Sequence, residues 1–375
     1  MGKINKAFGI ENKTIHQRLM SSLKDKSFSI KLLNRFLRLT IRIIEKLFIT
    51  KIITYHTRPK ISSDFHIRSL INKKHKAGIL MQGPIDHDKN FTVETIKLYK
   101  KLYPEIPIIL STWEDEKKSA INLIKNLGVD VVASKKPRIE TLQNSLWKNV
   151  DLQIISVKEG IKAFAEYDID HCLKTRTDQR LYKPELFNFF INLMNVFPLK
   201  NNSVQKKRII SSSFATAKYR VYGLTDMMMF AEINDLKRYW NVENYSTGIY
   251  KYTQDNEEYI PPIVSGTLIG AEVYLMSSYL EKIGVKLDWT LSSYWKSLAE
   301  HFLIADSNSM DMYWNKYNKE SEFKYARTYD QVSHRLIDFS DWLEAYCNHD
   351  NLWDSLRSQE KWERSSDGKL MRTII

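Results

Sequence analysis

Eight residues, Ala77-Gly78-Ile79-Leu80-Met81-Gln82-Gly83-Pro84, give the clearest indication of the architecture of this chain. An apolar run of this length that ends at a Gly-Pro turn is typical of a buried strand. Two similar apolar runs follow at 107–112 and 129–133, and helical patterns at 92–103 and 116–127 separate the three strands. This β-α-β-α-β order predicts a parallel sheet covered by helices.

The same alternation continues toward the C-terminus. A helical pattern at 149–166 leads to a fourth strand, His171-Cys172-Leu173-Lys174-Thr175. Later patterns predict strands at 208–212 and 226–230, and helices at 234–240, 265–276 and 297–303. We therefore predict an α/β fold, with a mixed sheet flanked by helices.

Composition narrows the classes of partner. The 375 residues carry a formal net charge of +13, and an excess of that size favours polyanionic partners. No zinc-finger spacing, RNA-recognition signature or Walker loop is present, so we expect no nucleic-acid partner. Cys172 and Cys347 form no CxxC pair and are expected to be free thiols in a reducing compartment.

Three regions are predicted: a basic amphipathic helical region at 1–75, a main domain at 76–310 and a helical C-terminal extension at 311–375. The segment 30–55 has a helical pattern with an apolar face and an opposing basic stripe. The apolar face comprises Leu33, Phe36, Leu37, Ile41, Ile44, Leu47 and Phe48. The basic stripe comprises Lys31, Arg35, Arg38, Arg42 and Lys46.

Such a helix can lie in the interface of an anionic bilayer, or it can pack its apolar face on the main domain. No window of ~18 uncharged apolar residues predicts a membrane span, and no signal peptide is recognised. We expect a cytoplasmic protein that is peripheral at the inner face of the cytoplasmic membrane.

The end of the fourth strand carries the most chemically suggestive pattern, Arg176-Thr177-Asp178-Gln179-Arg180. Asp178 can bind a metal or a sugar hydroxyl, and the two flanking arginines can neutralise phosphate directly. The alternative is a strand-end aspartate that pairs with neighbouring arginines on the surface.

Four segments of the chain occur in a recognisable order. They are Leu80-Met81-Gln82-Gly83-Pro84-Ile85, then Ile109-Leu110-Ser111-Thr112-Trp113, then Asn149 to Ser156 followed closely by Leu173 to Asp178, and finally Tyr222 to Phe230. Together they resemble the WavE lipopolysaccharide synthesis family of bacterial glycosyltransferases. That family carries a QGP turn, an LSTW-like strand end, an NxxxQ helix start, a K-x-R-T-D strand and a later (S/T)-D-x-x-x-F segment. The chain departs from this pattern at Asp151 and Ala231, where Asn and Gly are more usual.

The resemblance implies a GT-A-like, Rossmann-type transferase that moves a sugar from a nucleotide-diphosphate donor to a glycan or lipid-linked acceptor of lipopolysaccharide or capsule. Ligands of open α/β sheets bind outside the carboxyl ends of the strands, where several polar residues of the motifs fall. The candidate donor-binding residues are Gln82, Gly83, Pro84, Thr112, Asn149, Gln153, Lys174, Arg176 and Arg180.

Metal dependence is open at this point. The usual metal signature of the fold has two acids spaced by one residue, but Arg180 stands where the second acid would be. Either Asp178 binds a divalent metal such as Mg or Mn with help from elsewhere, or the arginines replace the metal.

Asp226 is the leading candidate for the acceptor-side base, because an inverting transfer needs a carboxylate to take the proton of the acceptor hydroxyl. The rival acceptor-side candidates are Glu272, Glu300 and His301. Two other functions compete with this one. The donor could be phosphoribosyl diphosphate, whose extra phosphate suits clustered arginines, or the protein could be a non-catalytic scaffold that binds glycan or lipid.

Overall fold

A computed structural model describes residues 32, 35–47, 58–64, 75–137, 145–200, 204–245, 271–317, 336–348, 360–364 and 370–374. The chain divides into two compact units, residues 1–59 and 60–375. Among the described residues, no helix is both long and apolar enough to cross a bilayer.

The smaller unit is described by one helix, α1, over residues 35–47. Three residues of the predicted apolar face, Leu37, Ile41 and Ile44, are half-buried, whereas Leu33 and Phe48 lie outside the described residues. The other two residues of that face, Phe36 and Leu47, are exposed and belong to an apolar stripe that is open to solvent. This stripe consists of Leu32, Phe36, Leu39, Ile43 and Leu47.

The larger unit contains eleven described strands. Their bounds are β1 Ala77–Gln82, β2 Ile108–Trp113, β3 Asp130–Ser134, β4 His171–Arg176, β5 Gln179–Leu181, β6 Ile209–Ser212, β7 Met229–Glu232, β8 Phe302–Ala305, β9 Met312–Trp314, β10 Glu360–Arg364 and β11 Leu370–Ile374. Seven of them form one mixed sheet in the order β3-β2-β1-β4-β7-β6-β8. The fold class predicted from the sequence, α/β with a mixed sheet flanked by helices, is confirmed.

Eight described helices accompany these strands. They are α2 Phe91–Leu102, α3 Lys118–Asn126, α4 Ser145–Lys162, α5 Leu186–Val196, α6 Ile233–Trp240, α7 Ala271–Lys282, α8 Leu291–His301 and α9 Phe339–Cys347. Helix α4 packs directly on β1 and β2. Gly160 allows this close approach, because a Cβ atom there would lie only 2.3 Å from Cδ1 of Leu80.

The direction of the strands determines which loops can meet. In the seven-stranded sheet only β7 runs antiparallel to its neighbours β4 and β6. The other six strands therefore end at one edge of the sheet, called here the carboxyl edge. The loop before β7 reaches the same edge, because β7 begins where its neighbours end. The central strands β1 and β2 are buried along their whole length, as a parallel sheet covered on both faces requires.

The structure corrects several predicted elements. The helix predicted at 297–303 ends at His301, and the following residues form β8. The predicted helical C-terminal extension also contains the antiparallel pair β10 and β11. Strand β9, just beyond the predicted boundary at residue 310, pairs with β5, and α9 packs against α8 and β8. The β5–β9 pair and the packing of α9 join segments distant in sequence, so local periodicity does not reveal them.

Candidate functional site

Two turns meet at the carboxyl edge, one after β1 and one after β4. The backbone N–H of Thr177 donates to the carbonyl of Gln82 (3.1 Å), and the Thr177 hydroxyl donates to the carbonyl of Pro84 (2.6 Å). Gly83 lies between them with φ of 125°, and its N–H donates to the Ser111 carbonyl on β2 (3.0 Å). A Cβ atom on Gly83 would lie 3.0 Å from the Thr177 hydroxyl. The Gln-Gly-Pro and Arg-Thr-Asp motifs are therefore one continuous structure.

Glu116 supports this structure and was missed by the sequence analysis. Its Oε1 accepts hydrogen bonds from the Ile85 N–H (2.8 Å) and from the Thr112 hydroxyl (3.4 Å). Its Oε2 lies 3.5 Å from Nε2 of His87. Thr112 is fully buried and its hydroxyl is already engaged by Glu116, so the structure gives it a supporting role. The spacing of four residues between Thr112 and Glu116 was the available signal.

Arg176 and Asp178 form a bidentate ion pair at this edge. Nε of Arg176 lies 2.9 Å from Oδ1 of Asp178, and Nη2 lies 3.1 Å from Oδ2. Burial alone raises the pKa of Asp178, but the hydrogen bonds and the charge of Arg176 outweigh it, so that this pKa lies below its ordinary value. The guanidinium also lies 5.4 Å from the centre of the Trp314 ring, on β9. A cation held on two sides in this way is pre-oriented for an anionic ligand.

Arg180 does not accompany Arg176, which corrects the predicted pair of phosphate-binding arginines. Only 1% of Arg180 is exposed. Its guanidinium donates to the Thr95 hydroxyl (2.8 Å), the Tyr182 hydroxyl (3.0 Å) and the Phe91 carbonyl (3.1 Å). Pairing of β5 with β9 turns this side chain into the interior, where these groups satisfy it.

Lys174 is also a correction, because it is fully buried instead of open to a donor. It shares a strand face with Arg176, as predicted, but its Nζ donates to the main-chain carbonyl of Asp226 and lies 3.6 Å from Oδ2 of the same residue. Nζ also sits 4.8 Å from the centre of the Trp240 ring. Burial lowers the pKa of Lys174 to about 8, and the charge of Asp226 opposes that shift. The structure therefore joins Lys174 to the predicted base.

Two buried amides face the same side of the sheet. Gln82 and Leu80 are two residues apart on β1, so both side chains project toward α4, which packs on Leu80 through Gly160. Gln153 lies two turns before Gly160 on α4, and Asn149 lies one turn before Gln153. Oε1 of Gln82 and Oε1 of Gln153 are buried and accept no hydrogen bond from a described residue. Asn149 is exposed. These amides are available to a polar ligand.

The charges of Asp226 and Glu272 both act on one buried tyrosine, Tyr239. Asp226 is 5% exposed, and its Oδ2 accepts no hydrogen bond within the described part of the chain. The pKa of Tyr239 is raised well above its ordinary value, first by burial and then by the charges of Asp226 and Glu272. Glu272 also lies 3.6 Å from Nη2 of Arg220. The charge of Glu272 therefore acts on the same tyrosine as that of Asp226.

Glu300 and His301 lie at the opposite edge, which corrects their candidacy for the acceptor side. They immediately precede β8, which runs parallel to β6, and so stand at the amino end of the sheet. His301 is buried, and its Nδ1 lies 2.9 Å from Oε1 of Gln205. Burial and the charge of Arg208 lower the pKa of His301 to about 4. This histidine is a neutral structural group.

The side chains at this edge do not form the two-acid metal site that is usual in the GT-A-like fold. Both oxygens of Asp178 are bonded to Arg176, and Arg180, at the position of the second acid, points into the interior. Within the described ranges, no group of three or more His, Cys, Asp or Glu side chains could hold a metal ion. Arg176 supplies the positive charge at this edge.

Comparisons with known proteins extend this description. The structure is similar to a cytidylyltransferase from Leptospira borgpetersenii serovar Hardjo-bovis, with 15% identity over 49% of this chain and 73% of that chain and a TM-score of 0.30. It is similar to mouse xyloside xylosyltransferase 1, with 10% identity over 64% of this chain and 97% of that chain and a TM-score of 0.34. It is also similar to a glycosyltransferase involved in the glycosylation of the major capsid of PBCV-1, with 13% identity over 60% of this chain and 89% of that chain and a TM-score of 0.30. Similarities at these TM-scores carry no argument about activity. The search of curated proteins found no match.

The family comparison is of a different kind, because it covers most of the chain. The family described as WavE lipopolysaccharide synthesis matches residues 78–365. This range includes all four motifs of the sequence analysis, from the Gln-Gly-Pro turn to the segment that contains Asp226. The resemblance drawn from those motifs is confirmed, and the chain belongs to the WavE lipopolysaccharide synthesis family.

Proposed function

We propose that the protein is a glycosyltransferase that moves a sugar from a nucleotide-diphosphate donor to a hydroxyl of a glycan or lipid-linked acceptor during assembly of lipopolysaccharide or capsule. The observation that carries the proposal is that one edge of the sheet holds both an oriented cation and a buried carboxylate. Arg176, fixed by Asp178, lies two residues from Lys174 on β4, and Oδ2 of Asp226 lies 3.6 Å from Nζ of Lys174. Membership of a lipopolysaccharide synthesis family supports this assignment.

The donor half of the site is the linked pair of turns after β1 and β4. In this proposal Arg176 neutralises the diphosphate as it leaves, because a guanidinium matches phosphate oxygens in charge and geometry. Gly83 allows the backbone to approach the donor closely. The amides of Gln82, Gln153 and Asn149 hydrogen-bond the polar groups of the nucleoside or sugar.

The acceptor half of the site is Asp226, in an inverting reaction. The acceptor hydroxyl gives its proton to the Asp226 carboxylate while its oxygen forms a bond to the anomeric carbon. The bond from that carbon to the diphosphate breaks, and the electron pair leaves with the diphosphate beside Arg176. Glu272 is the reserve candidate, since it lies near the same tyrosine as Asp226.

A thermal-shift screen with UDP, CDP, GDP and phosphoribosyl diphosphate tests the donor class. Stabilisation by one nucleoside diphosphate is expected, and it amounts to about 2.7 kcal/mol at a ligand concentration 100 times Kd. Stabilisation by phosphoribosyl diphosphate alone would select a phosphoribosyl or ribofuranosyl transferase. No stabilisation by any of the four would favour the non-catalytic scaffold.

The proposal also includes a peripheral position on an anionic membrane through the region 30–55. The exposed apolar stripe of α1 includes Phe36, Leu39 and Ile43, and basic side chains at Arg35 and Arg38 flank it. An exposed apolar stripe beside arginines suits the boundary between acyl chains and anionic headgroups. This position would bring the enzyme to lipid-linked acceptors on the cytoplasmic face.

Charge reversal on α1 tests the membrane position. Replacing Arg35, Arg38 and Arg42 with Glu should release the protein from anionic liposomes, because each basic residue near such a surface contributes about 1 kcal/mol. Sedimentation with liposomes measures the release. The matched control reverses three exposed lysines of the other unit, at 117, 118 and 125, and should remain bound. Equal sedimentation of wild type and the α1 variant would contradict this mechanism.

A further inference from the structure

The pair formed by Lys174 and Asp226 has an unusual geometry for an ion pair. The Lys174 ammonium group is fully buried and donates to the main-chain carbonyl of Asp226. It lies 3.6 Å from Oδ2 of the carboxylate, which is beyond hydrogen-bond length but close enough for strong attraction between charges. The carboxylate oxygen thus has a positive neighbour, yet its lone pairs are not taken up by a described group.

Other charged and titratable groups surround the pair from every packed element. Arg176 and Asp178 act on Lys174 from the end of β4 and the turn after it, in opposite directions. On the helices, Tyr239 of α6 is acted on by the charge of Asp226, and Glu272 of α7, Tyr279 and Tyr294 also act on Tyr239. Lys174 is the positive group closest to the Asp226 carboxylate among the described ion pairs.

We propose that Lys174 is a positioning residue for the base, which holds Asp226 in place at the carboxyl edge without touching the donor. The inference rests on the proposed function, because it assigns a role within that same site. Lys174 and Arg176 were both predicted to bind the donor. In this inference Arg176 neutralises the leaving diphosphate, whereas Lys174 positions the base for the attacking hydroxyl.

Lys174 holds Asp226 in two ways. The Lys174 ammonium group lies 3.6 Å from Oδ2 of Asp226, which is 5% exposed, so the attraction between the two charges is only weakly screened by water. The bond from Nζ to the Asp226 carbonyl fixes the backbone of the same residue, so that the carboxylate stays within reach of the acceptor hydroxyl. The Trp240 ring closes the other side of the ammonium group and excludes water.

This arrangement predicts an alkaline limit to turnover. Lys174 has a pKa lowered to about 8, so its positive charge is present below that pH and is lost as the pH rises through it. We therefore expect turnover of the wild type to fall above about pH 8. In Lys174→Arg, whose guanidinium stays charged, the fall should move to higher pH.

The test compares pH profiles of variants of the full chain. Turnover is followed as release of nucleoside diphosphate from a panel of UDP-, CDP- and GDP-linked sugars with a glycan acceptor. Lys174→Met should lower turnover at neutral pH at least tenfold, leave the KM for the donor unchanged and abolish the fall near pH 8. The control, Arg208→Met, removes another buried cation, whose bonds to Phe197 and Ala299 lie away from the carboxyl edge. It should keep the wild-type profile.

The outcomes separate this inference from the proposed function. If Asp226→Asn retains wild-type turnover, the assignment of the base fails, and this inference fails with it. If Asp226→Asn loses turnover while Lys174→Met keeps both the turnover and the alkaline fall of the wild type, only the role of Lys174 is overturned. If Lys174→Met does not fold, the pH profile of Lys174→Arg is the test. A fall of turnover that stays near pH 8 in Lys174→Arg would overturn the positioning role of Lys174.

Discussion

Replacing Asp226 with asparagine should lower transfer by about 10²–10⁴-fold and leave donor affinity intact, because a positioned base contributes a factor of that size. Asparagine keeps the size of the side chain and cannot accept the proton of the acceptor hydroxyl. Turnover and nucleoside-diphosphate affinity are to be measured on the same variant. Parallel loss of donor affinity would move Asp226 to the donor half of the site, and normal turnover would pass the role to Glu272.

Lys174, the buried partner of Asp226, can make the Asp226→Asn variant unstable, and it also provides the control for this experiment. Loss of the Asp226 charge leaves Lys174 buried without its carboxylate, and breaking a buried pair on one side can cost about 3–5 kcal/mol of unfolding free energy. The double variant Lys174→Met/Asp226→Asn removes both charges and should recover much of that stability. Its turnover should remain low. Recovery of turnover together with stability would show that the loss in Asp226→Asn was structural.

Replacing Arg176 with methionine should weaken binding of the nucleoside diphosphate by roughly 10- to 100-fold, since hydrogen bonds to charged groups contribute about 1.5–3 kcal/mol. Turnover should fall further, by about 10²–10³-fold, because the cation is most needed as charge develops on the leaving group. Arg238, which is partly exposed and lies 3.0 Å from Asp235, offers a matched arginine in an ion pair on α6. Arg238→Met should keep both affinity and turnover.

Asp178→Asn and a metal chelator complete this test. The variant should fold nearly normally and lose much of its transfer, since asparagine cannot hold the Arg176 guanidinium by two charge-assisted bonds. Activity of the wild type should survive EDTA, because Arg176 supplies the positive charge that a metal ion would otherwise provide. Loss of activity in EDTA that Mg or Mn restores would instead make Asp178 a metal ligand. Wild-type turnover in Asp178→Asn would remove it from the site.

Strand order and chemical type together made much of the site predictable. Parallel strands end at one edge, so the Gln-Gly-Pro turn after β1 and the Arg-Thr-Asp turn after β4 could be expected to meet, although their bonds through Thr177 could not. The relation of Lys174 to Arg176 was also predictable, because residues two apart in a strand share a face. What buries Lys174 is Asp226 and Trp240, which come more than fifty residues later in the chain.

The failures have one physical origin. Arg180 was expected to bind phosphate because it stands near Asp178, but its neighbours in space are Thr95 on α2 and Phe91, brought there by folding. Glu300 and His301 were placed on a helix correctly, but the edge they occupy depends on the direction of β8 relative to β6. Neither kind of information is present in local periodicity.

The amino-acid sequence on its own therefore specified the α/β class, the family and the chemical types at the carboxyl edge, because each depends on short-range pattern and on the order of motifs along the chain. Tertiary structure alone assigned partners to the charged groups. It paired Asp178 with Arg176 and not with Arg180, which it withdrew into the interior, and it paired Lys174 with Asp226. Burial is the reason, since a charge removed from water must find a partner wherever the folded chain supplies one, at whatever distance in sequence.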